Sequence, residues 1–194
     1  MKIVIIKYNA GNVYSVSSAL KRLGYDAVIT RELDEIKSAD KIIFPGVGAA
    51  SSAMEYLKCN KLDTLIPELQ QPFLGVCLGL QLLCNYSDEG NTKCLGVFDQ
   101  KIKRFPPKDK VPHMGWNSIK LSDNRLFANL PYEPFVYFVH SYFAEISEFT
   151  IAETDYIQSF SSALQKDNFF ALQFHPEKSG KVGERILKNF IELI

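Results

Sequence analysis

The sequence of 194 residues predicts an α/β fold of three layers, in which helices cover both faces of a mostly parallel central sheet. Short apolar runs alternate with segments of helical periodicity through the first half of the chain, an order typical of parallel strands joined by helices. The second half carries β-like runs separated by turns, which predicts antiparallel strands that extend or flank the sheet. The length suits one domain over residues 1–194.

The first half of the chain is predicted to alternate strand and helix. Four apolar runs indicate strands, over residues 2–6, 25–30, 41–44 and 73–77. Apolar residues at helical spacing indicate helices between or after them, over residues 13–23, 49–57 and 78–83. Gly24 is expected to end the first helix, and Pro45-Gly46 is expected to cut the third strand.

The second half is predicted to be mainly β-structure, closed by a helix. The β-like runs cover residues 97–105, 134–144, 149–154, 159–165 and 169–174. In the last segment, Val182, Ile186, Phe190 and Ile194 fall on one helical stripe. The order of the strands in the sheet does not follow from the residues.

Composition excludes several classes of function. Lysine plus arginine and aspartate plus glutamate each total 22, so the formal net charge is zero and a basic nucleic-acid-binding face is not expected. No apolar run approaches the roughly 18 residues that a membrane span needs. We therefore expect no nucleic-acid partner, no membrane association and a cytoplasmic location.

The cysteines and histidines form no metal-binding pattern. The cysteines are Cys59, Cys77, Cys84 and Cys94, with no C-x-x-C pair among them. The histidines are His113, His140 and His175, with no H-E-x-x-H or paired helical spacing. We expect neither a metal nor a cofactor, and free thiols fit a reducing cytosol.

The sharpest chemical feature is G-x-C-x-G at residues 75–79, at a predicted strand-to-helix junction. Such a nucleophile elbow presents its reactive side chain at a tight turn that small neighbours allow to close. The start of the following helix favours an anionic thiolate at Cys77. The alternative is a buried cysteine whose flanking glycines only ease the packing of helix on sheet.

A thiol nucleophile needs a base, and His175 is the best placed histidine. It is predicted to end the strand over residues 169–174, as Cys77 ends the strand over residues 73–77. In parallel α/β sheets, binding and catalytic sites form at the edge where the carboxyl ends of the strands lie. Glu177 is placed to accept the second imidazole N–H and so to orient the ring. The alternative for this H-P-E segment is a turn with a solvated glutamate.

Pro45-Gly46-Val47-Gly48 follows another predicted strand. Glycines there let backbone N–H groups approach an anion, as an oxyanion hole requires. A phosphate-binding loop is disfavoured because no G-x-x-x-x-G-K-[ST] pattern is present, and an ordinary turn is the remaining alternative.

Three motifs in order resemble the class I glutamine amidotransferases: PGVG at 45–48, GVCLGLQLL at 75–83 and QFHPEKSG at 173–180. VPHMGWN at 111–117 and FVHSY at 138–142 bring the resemblance to the glutaminase subunits of imidazole glycerol phosphate synthase. It spans essentially the whole chain and implies the three-layer, flavodoxin-like fold of that family. Residues 7–12 read KYNAGN where members often have D-Y-G-x-G-N, a departure in the first loop, outside the triad that the resemblance implies.

The resemblance implies a role for each matching residue. It makes Cys77 the nucleophile, His175 the general acid/base and Glu177 its orienting partner. The oxyanion strand would be Gly46, Val47 and Gly48. The residues expected to hold the α-amino and α-carboxylate end of L-glutamine are Gln81, His140, Ser141 and Tyr142.

The implied partner is the (β/α)8-barrel cyclase subunit, which would use the ammonia to form imidazole glycerol phosphate and an aminoimidazole carboxamide nucleotide in histidine biosynthesis. Asn12, Trp116 and Lys178 are expected at that contact, with core packing the alternative for the tryptophan. Three other functions stay open: an amidotransferase for a different synthase, such as a sugar-amidating one, a free-standing cysteine hydrolase, and a non-catalytic binding module.

Overall fold

The computed structural model describes residues 1–9 and 12–194. The elements of the first half are β1 (Ile3–Ile6), α1 (Val13–Arg22), β2 (Ala27–Thr30), α2 (Leu33–Lys37), β3 (Lys41–Gly46), α3 (Ala50–Cys59), α4 (Leu62–Leu65), β4 (Phe73–Cys77) and α5 (Leu78–Leu83). Those of the second half are β5 (Tyr86–Ser87), β6 (Thr92–Lys93), β7 (Lys101–Arg104), β8 (His113–Ser118), β9 (Lys120–Leu121), β10 (Phe135–His140), β11 (Tyr142–Ala144), β12 (Thr150–Asp155), β13 (Ser159–Lys166), β14 (Phe169–Leu172) and α6 (Gly180–Leu193).

The main sheet has the strand order β2-β1-β3-β4-β14-β13-β11-β7-β5-β6. The strands from β2 to β14 in that order are mutually parallel. β13 pairs antiparallel with β14, the last of these parallel strands. β12 pairs antiparallel with β13, and β9 pairs antiparallel with β12. β8 and β10 form a separate antiparallel pair. The predicted mixed sheet, parallel in its first part with antiparallel additions, is confirmed.

Each face of the sheet packs against its own apolar cluster. Along the parallel strands, alternate side chains belong to the two clusters: Val4 and Ile6 to one, Ile3 and Ile5 to the other. The first cluster includes the buried residues of α3 and α5, and the second includes those of α1 and α6. Because strand side chains alternate between faces, continuous burial of β1 requires helices on both sides. The predicted three layers are confirmed.

The prediction that Pro45-Gly46 cuts the third strand is wrong. β3 continues through both residues, and Pro45 pairs with Val76 of β4. Pairing with β1 has already ended at Ile43, so Pro45 has a neighbouring strand on only one side. A proline is tolerated there because its missing N–H breaks no bond to a second strand.

The second half also differs from the prediction in places. The run over residues 134–144 is divided at Ser141 into two strands that pair with different partners. The last strand ends at Leu172, so His175 lies three residues beyond the strand end instead of terminating it. The helices α2 and α4 and the strand β8 were not predicted, because short or polar segments carry too little periodicity to be recognised. None of the helices in the described ranges has the length and apolar character that a membrane crossing requires.

The junction between β4 and α5 is packed so closely that it needs glycine. A Cβ atom on Gly79 would lie 2.0 Å from the carbonyl oxygen of Phe44 on β3. A Cβ atom on Gly46 would lie 2.0 Å from the hydroxyl of Tyr8 and 3.0 Å from Cβ of Leu78. The first turn of α5 therefore rests directly on the backbone of the neighbouring strand.

We expect Gly79→Ala to lower the free energy of unfolding by about 2 kcal/mol, because backbone must move to admit the methyl group. A glycine-to-alanine substitution inside a helix ordinarily stabilises a protein through helix propensity. A lower free energy of unfolding for Gly79→Ala therefore reports the close contact and not the propensity. Denaturant titration measures the change. The control is Ser18→Ala on the exposed side of α1, expected to stay within about 0.5 kcal/mol of wild type; a Gly79→Ala protein as stable as the control contradicts the packing argument.

Candidate active site

Cys77 sits on a strained turn between a buried strand and a helix. Its backbone has φ 54° and ψ −107°, and β4 passes into α5 at this residue. A positive φ at a residue with a side chain costs energy, and such strain is characteristic of functional turns. Gly46 of β3 pairs with Cys77, which brings the segment Gly46–Gly48 beside the thiol. The sequence pattern of an elbow thus corresponds to elbow geometry.

His175 and Glu177 form a buried pair on the turn after β14. Nδ1 of His175 lies 2.8 Å from Oε1 of Glu177, and the two side chains are 1% and 0% exposed. The side-chain amide of Asn12 donates a short hydrogen bond to the same carboxylate oxygen. Sequence reasoning placed Asn12 at a partner interface and did not foresee this contact, which joins the start of α1 to Glu177.

The turn that carries His175 is anchored to β10. The His175 N–H donates to the carbonyl of Tyr137 over 2.9 Å. The Ser179 hydroxyl donates to the His175 carbonyl over 2.7 Å and accepts the N–H of Tyr137 over 2.9 Å. A Cβ atom on Gly183 of α6 would lie 1.8 Å from the Pro176 carbonyl oxygen, so α6 packs directly under the turn. These contacts fix the imidazole although it lies outside regular structure.

The surroundings of His175 favour its charged form. Burial by itself lowers the pKa of an imidazole, but the hydrogen bond to Glu177 and the nearby Cys77 and Glu177 charges outweigh burial and raise the pKa of His175 to about 10. The other two histidines have the opposite environment. Burial lowers the pKa of His113 to about 4 and that of His140 to about 3. The histidine paired with a carboxylate is therefore the one that can hold a proton near neutral pH.

A cavity of about 340 Å³ opens onto Cys77. Among the residues predicted for the site, those that line it are Val47, Gly48, Cys77, Gln81, His140, Ser141 and Tyr142. Leu78, Glu89, Pro112 and Val139 complete the lining. The described lining does not include His175 or Glu177, whose side chains are buried. The thiol therefore opens onto the cavity, and the buried pair follows β14, the strand next to the one that Cys77 ends.

Gln81 belongs to an amide network that reaches the thiol. Its side-chain nitrogen donates to the Tyr142 carbonyl and to Oε1 of Gln173, each over 3.2 Å. The amide nitrogen of Gln173 lies 3.8 Å from the Cys77 sulfur. Gln173 was not predicted, although it directly precedes the F-H-P-E motif. The network fixes the cavity residues Gln81 and Tyr142 relative to Cys77, the candidate nucleophile.

The comparisons with known proteins give this geometry its family. The model of the family described as glutamine amidotransferase class I matches residues 4–193. The chain belongs to the class I glutamine amidotransferases. This amidotransferase is 60% identical to the imidazole glycerol phosphate synthase subunit HisH of Bacteroides fragilis and 57% identical to that of Bacteroides thetaiotaomicron, each match covering 100% of both chains. It therefore belongs, within the family, with the HisH subunits.

Solved structures of low sequence identity share the fold of this amidotransferase. A crystal structure of a glutamine amidotransferase, 18% identical, superposes with a TM-score of 0.74 over 100% of this chain and 98% of the other. Another, from Thermotoga maritima, is 17% identical with a TM-score of 0.68 over 100% of this chain and 83% of the other. The class I amidotransferase fold expected from the sequence motifs is confirmed.

Glu89 is a cavity residue of the amidotransferase that sequence reasoning missed. Its carboxylate accepts the backbone N–H of Ala50 over 2.8 Å and so caps α3, next to Val47 and Gly48. No local pattern identifies it, because Glu89 lies in a short 3-10 helix far from Ala50 in sequence. In the described ranges, no group of three or more His, Cys, Asp or Glu side chains could hold a metal ion.

The residues predicted at a partner interface lie near the site. Trp116 is 55% exposed, so core packing as its explanation is wrong. Lys178 is exposed, with its ammonium 5.8 Å from the ring centre of Tyr137 on β10. In the first loop, Lys7 and Asn9 depart from the D-Y-G-x-G-N pattern of the family, and both are described residues. Ala10 and Gly11 lie outside the described residues.

The raised pKa of His175 predicts a pH-dependent contribution to stability. The charged imidazole is favoured in the folded chain, so its contribution is complete below the usual pKa of 6.5 and is lost as the pH rises through about 10. We expect the difference in free energy of unfolding between wild type and His175→Gln to shrink steadily over this range, as measured by denaturant titration at several pH values.

The matched control is His113→Gln. Because His113 is neutral in both folded and unfolded chains above pH 7, its difference from wild type is expected to stay constant there. A constant difference for His175→Gln as well contradicts a raised pKa at His175.

Proposed function

We propose that this HisH-type chain hydrolyses L-glutamine to glutamate and ammonia with Cys77 as nucleophile, His175 as general acid/base and Glu177 as the group that orients the imidazole. The observation that carries the proposal is the Cys77 elbow, which opens onto the cavity at the end of β4, while the buried His175–Glu177 pair follows the neighbouring parallel strand β14. Residues 1–194 serve as one amidotransferase domain of the cytoplasm, with no cofactor.

The proposed reaction begins with attack of the Cys77 thiolate on the γ-carboxamide carbon of glutamine, which forms a C–S bond. The segment Gly46–Gly48 lies beside the thiol, where its backbone N–H groups stabilise the oxyanion of the tetrahedral intermediate. His175 gives its proton to the departing nitrogen, and ammonia leaves. Water, deprotonated by His175, then cleaves the γ-glutamyl thioester and releases glutamate.

The charged end of glutamine is assigned to the wall of the cavity that Gln81 and the segment His140–Tyr142 form. Gln81 and the backbone of His140–Tyr142 line this wall and supply amide and carbonyl groups that suit an α-amino and an α-carboxylate group. Since Gln81 is held by Tyr142 and Gln173, its position is set before the substrate arrives. The γ-carboxamide then reaches the Cys77 thiol, which lines the same cavity.

The ammonia is proposed to pass to the (β/α)8-barrel cyclase subunit of imidazole glycerol phosphate synthase. Ammonium is a poor nucleophile, so neutral ammonia has to reach the second site without release into bulk water. The outer face of the β8–β10 pair is suited to docking, because Met114, Trp116 and Phe135 are 67%, 55% and 59% exposed there. Lys178 and Tyr137 lie at the same face, close to the His175 turn.

We expect Cys77→Ser to abolish glutamine-dependent turnover of the complex while ammonium salts still support the cyclase reaction. His175→Asn is expected to lower glutamine-dependent kcat at least about 10³-fold, and Glu177→Gln to lower it less, because the orienting carboxylate does not itself attack or transfer the proton. Steady-state assays with glutamine and with ammonium measure these effects.

The control for the nucleophile is Cys59→Ala, because Cys59 is the exposed thiol and lies outside the cavity lining. It is expected to keep wild-type activity. Glutamine hydrolysis that survives Cys77→Ser at substantial rate excludes Cys77 as the nucleophile, and equal small losses in both His175→Asn and Glu177→Gln point to a different base.

We expect Trp116→Ala to weaken association with the purified cyclase at least about tenfold, because exposed tryptophans are frequent anchors of interfaces. Sedimentation of the mixed chains measures this association. Val28→Ala, on the edge strand β2, is the control and should bind as wild type. Absence of a heterodimer at micromolar concentration with the wild-type chain argues for a different synthase as partner.

A further inference from the structure

Two buried histidines form a hydrogen-bonded chain beside the cavity. Asn117 Nδ2 lies 3.3 Å from Nε2 of His113, and Nδ1 of His113 lies 3.1 Å from Nε2 of His140. Nδ1 of His140 lies 2.8 Å from the Tyr142 carbonyl oxygen. His113 and His140 face each other across the β8–β10 pair, so strand pairing itself aligns the two rings. The proposed reaction uses neither ring as an acid or a base.

The donors and acceptors of this chain permit only one arrangement of protons. An amide nitrogen can only donate, so Nε2 of His113 accepts and its proton is on Nδ1. That proton points to His140, whose Nε2 accepts and whose own proton is on Nδ1. The carbonyl of Tyr142 can only accept and receives it. Both rings are neutral in this arrangement, in agreement with the lowered pKa values that burial gives them.

The far end of the chain is the wall assigned to the charged end of glutamine. The Tyr142 carbonyl accepts one hydrogen bond from His140 and a second from Gln81. Gln81 in turn binds Gln173, which lies against the Cys77 sulfur. A continuous path of hydrogen bonds therefore leads from β8 to the amide groups around the nucleophile.

We propose that His113 and His140 are positioning residues, which hold the Tyr142 carbonyl and Gln81 in the geometry that binds glutamine. The inference rests on the proposed function of the cavity and deepens it. The aromatic rings of Phe105, Phe138 and Phe160 surround His140, so the packing at its position is largely apolar. The hydrogen bonds to Tyr142 and His113 are what require a polar side chain there.

The first test compares His140→Asn with His140→Leu. Asparagine carries an N–H donor near the place of Nδ1 and keeps the bond to Tyr142, whereas leucine keeps the apolar volume and loses the donor. Glutamine affinity is measured by calorimetry in the Cys77→Ser background, and KM and kcat are measured in the complex with Cys77 intact. Leucine is expected to weaken glutamine binding at least about fivefold, the effect of one lost hydrogen bond, and asparagine to restore most of it.

Stability is expected to follow the opposite order. The melting temperature of His140→Leu should equal or exceed that of His140→Asn, because asparagine leaves a cavity among the aromatic rings. A merely structural role predicts that binding and stability change together. If both variants bind glutamine as wild type does, or if asparagine binds no better than leucine, the proposal is overturned.

The second test works at the partly exposed end and changes no core volume. Asn117→Asp replaces the donor to His113 with acceptors, so the Nε2 proton of His113 is favoured and the chain of donors is reversed. We expect weaker glutamine binding, at least about threefold, together with a change of His113 tautomer in ¹H–¹⁵N spectra of the imidazoles. Unchanged affinity overturns the proposal even if His140→Leu fails to fold.

The tests separate this proposal from the proposed function. If Cys77→Ser alone binds glutamine and lacks hydrolysis while the His140 and Asn117 variants bind like wild type, the glutaminase assignment stands and the positioning role fails. If the Cys77→Ser chain binds no glutamine, the assignment of the cavity fails and the positioning role fails with it.

Discussion

The close approach of α5 to β3 is the contact on which the site depends. Gly79 lies directly on the Phe44 carbonyl, and this contact lets the helix begin immediately at the end of β4. Cys77 is consequently held at a positive φ, at the level where β3 and β4 still pair. Since β14 lies on the other side of β4, the turn with His175 reaches the same edge. The parallel register of these strands thus brings together motifs that are far apart in sequence.

The three histidines show that burial alone does not decide the state of an imidazole. All three are buried, and burial opposes the charge on each. At His175, Glu177 and Cys77 reverse that effect. His140 hydrogen-bonds only to a carbonyl and to another neutral ring, which do not offset the effect of burial, so it stays uncharged. The charged His175–Glu177 pair therefore follows the strand next to that of the thiol, and Tyr142 in the cavity wall is held by hydrogen bonds between neutral groups.

The β8–β10 pair serves two environments because strand side chains alternate between faces. His113 and Asn117 point inward, toward the hydrogen-bonded chain that ends at Tyr142, while Met114 and Trp116 are exposed between them. The register places Trp116 opposite Tyr137, whose backbone holds the turn of His175. A single two-stranded unit therefore connects the exposed apolar face with both the cavity wall and the charged pair.

The sequence by itself determined the alternation of strands and helices in the first half, the β-rich second half and the candidates Cys77, His175 and Glu177. Periodicity and glycine spacing are local properties, and the three motifs of the family stand intact in the chain. The continuation of β3 through Pro45 depended on where β1 stops pairing, which only the assembled sheet decides. Glu89, Gln173 and the contact of Asn12 with Glu177 had no recognisable local signal, because each joins segments distant along the chain. The exposure of Trp116 and the proton arrangement of His113 and His140 likewise needed the tertiary structure, since solvent access and hydrogen-bond direction are set by neighbours that periodicity does not describe.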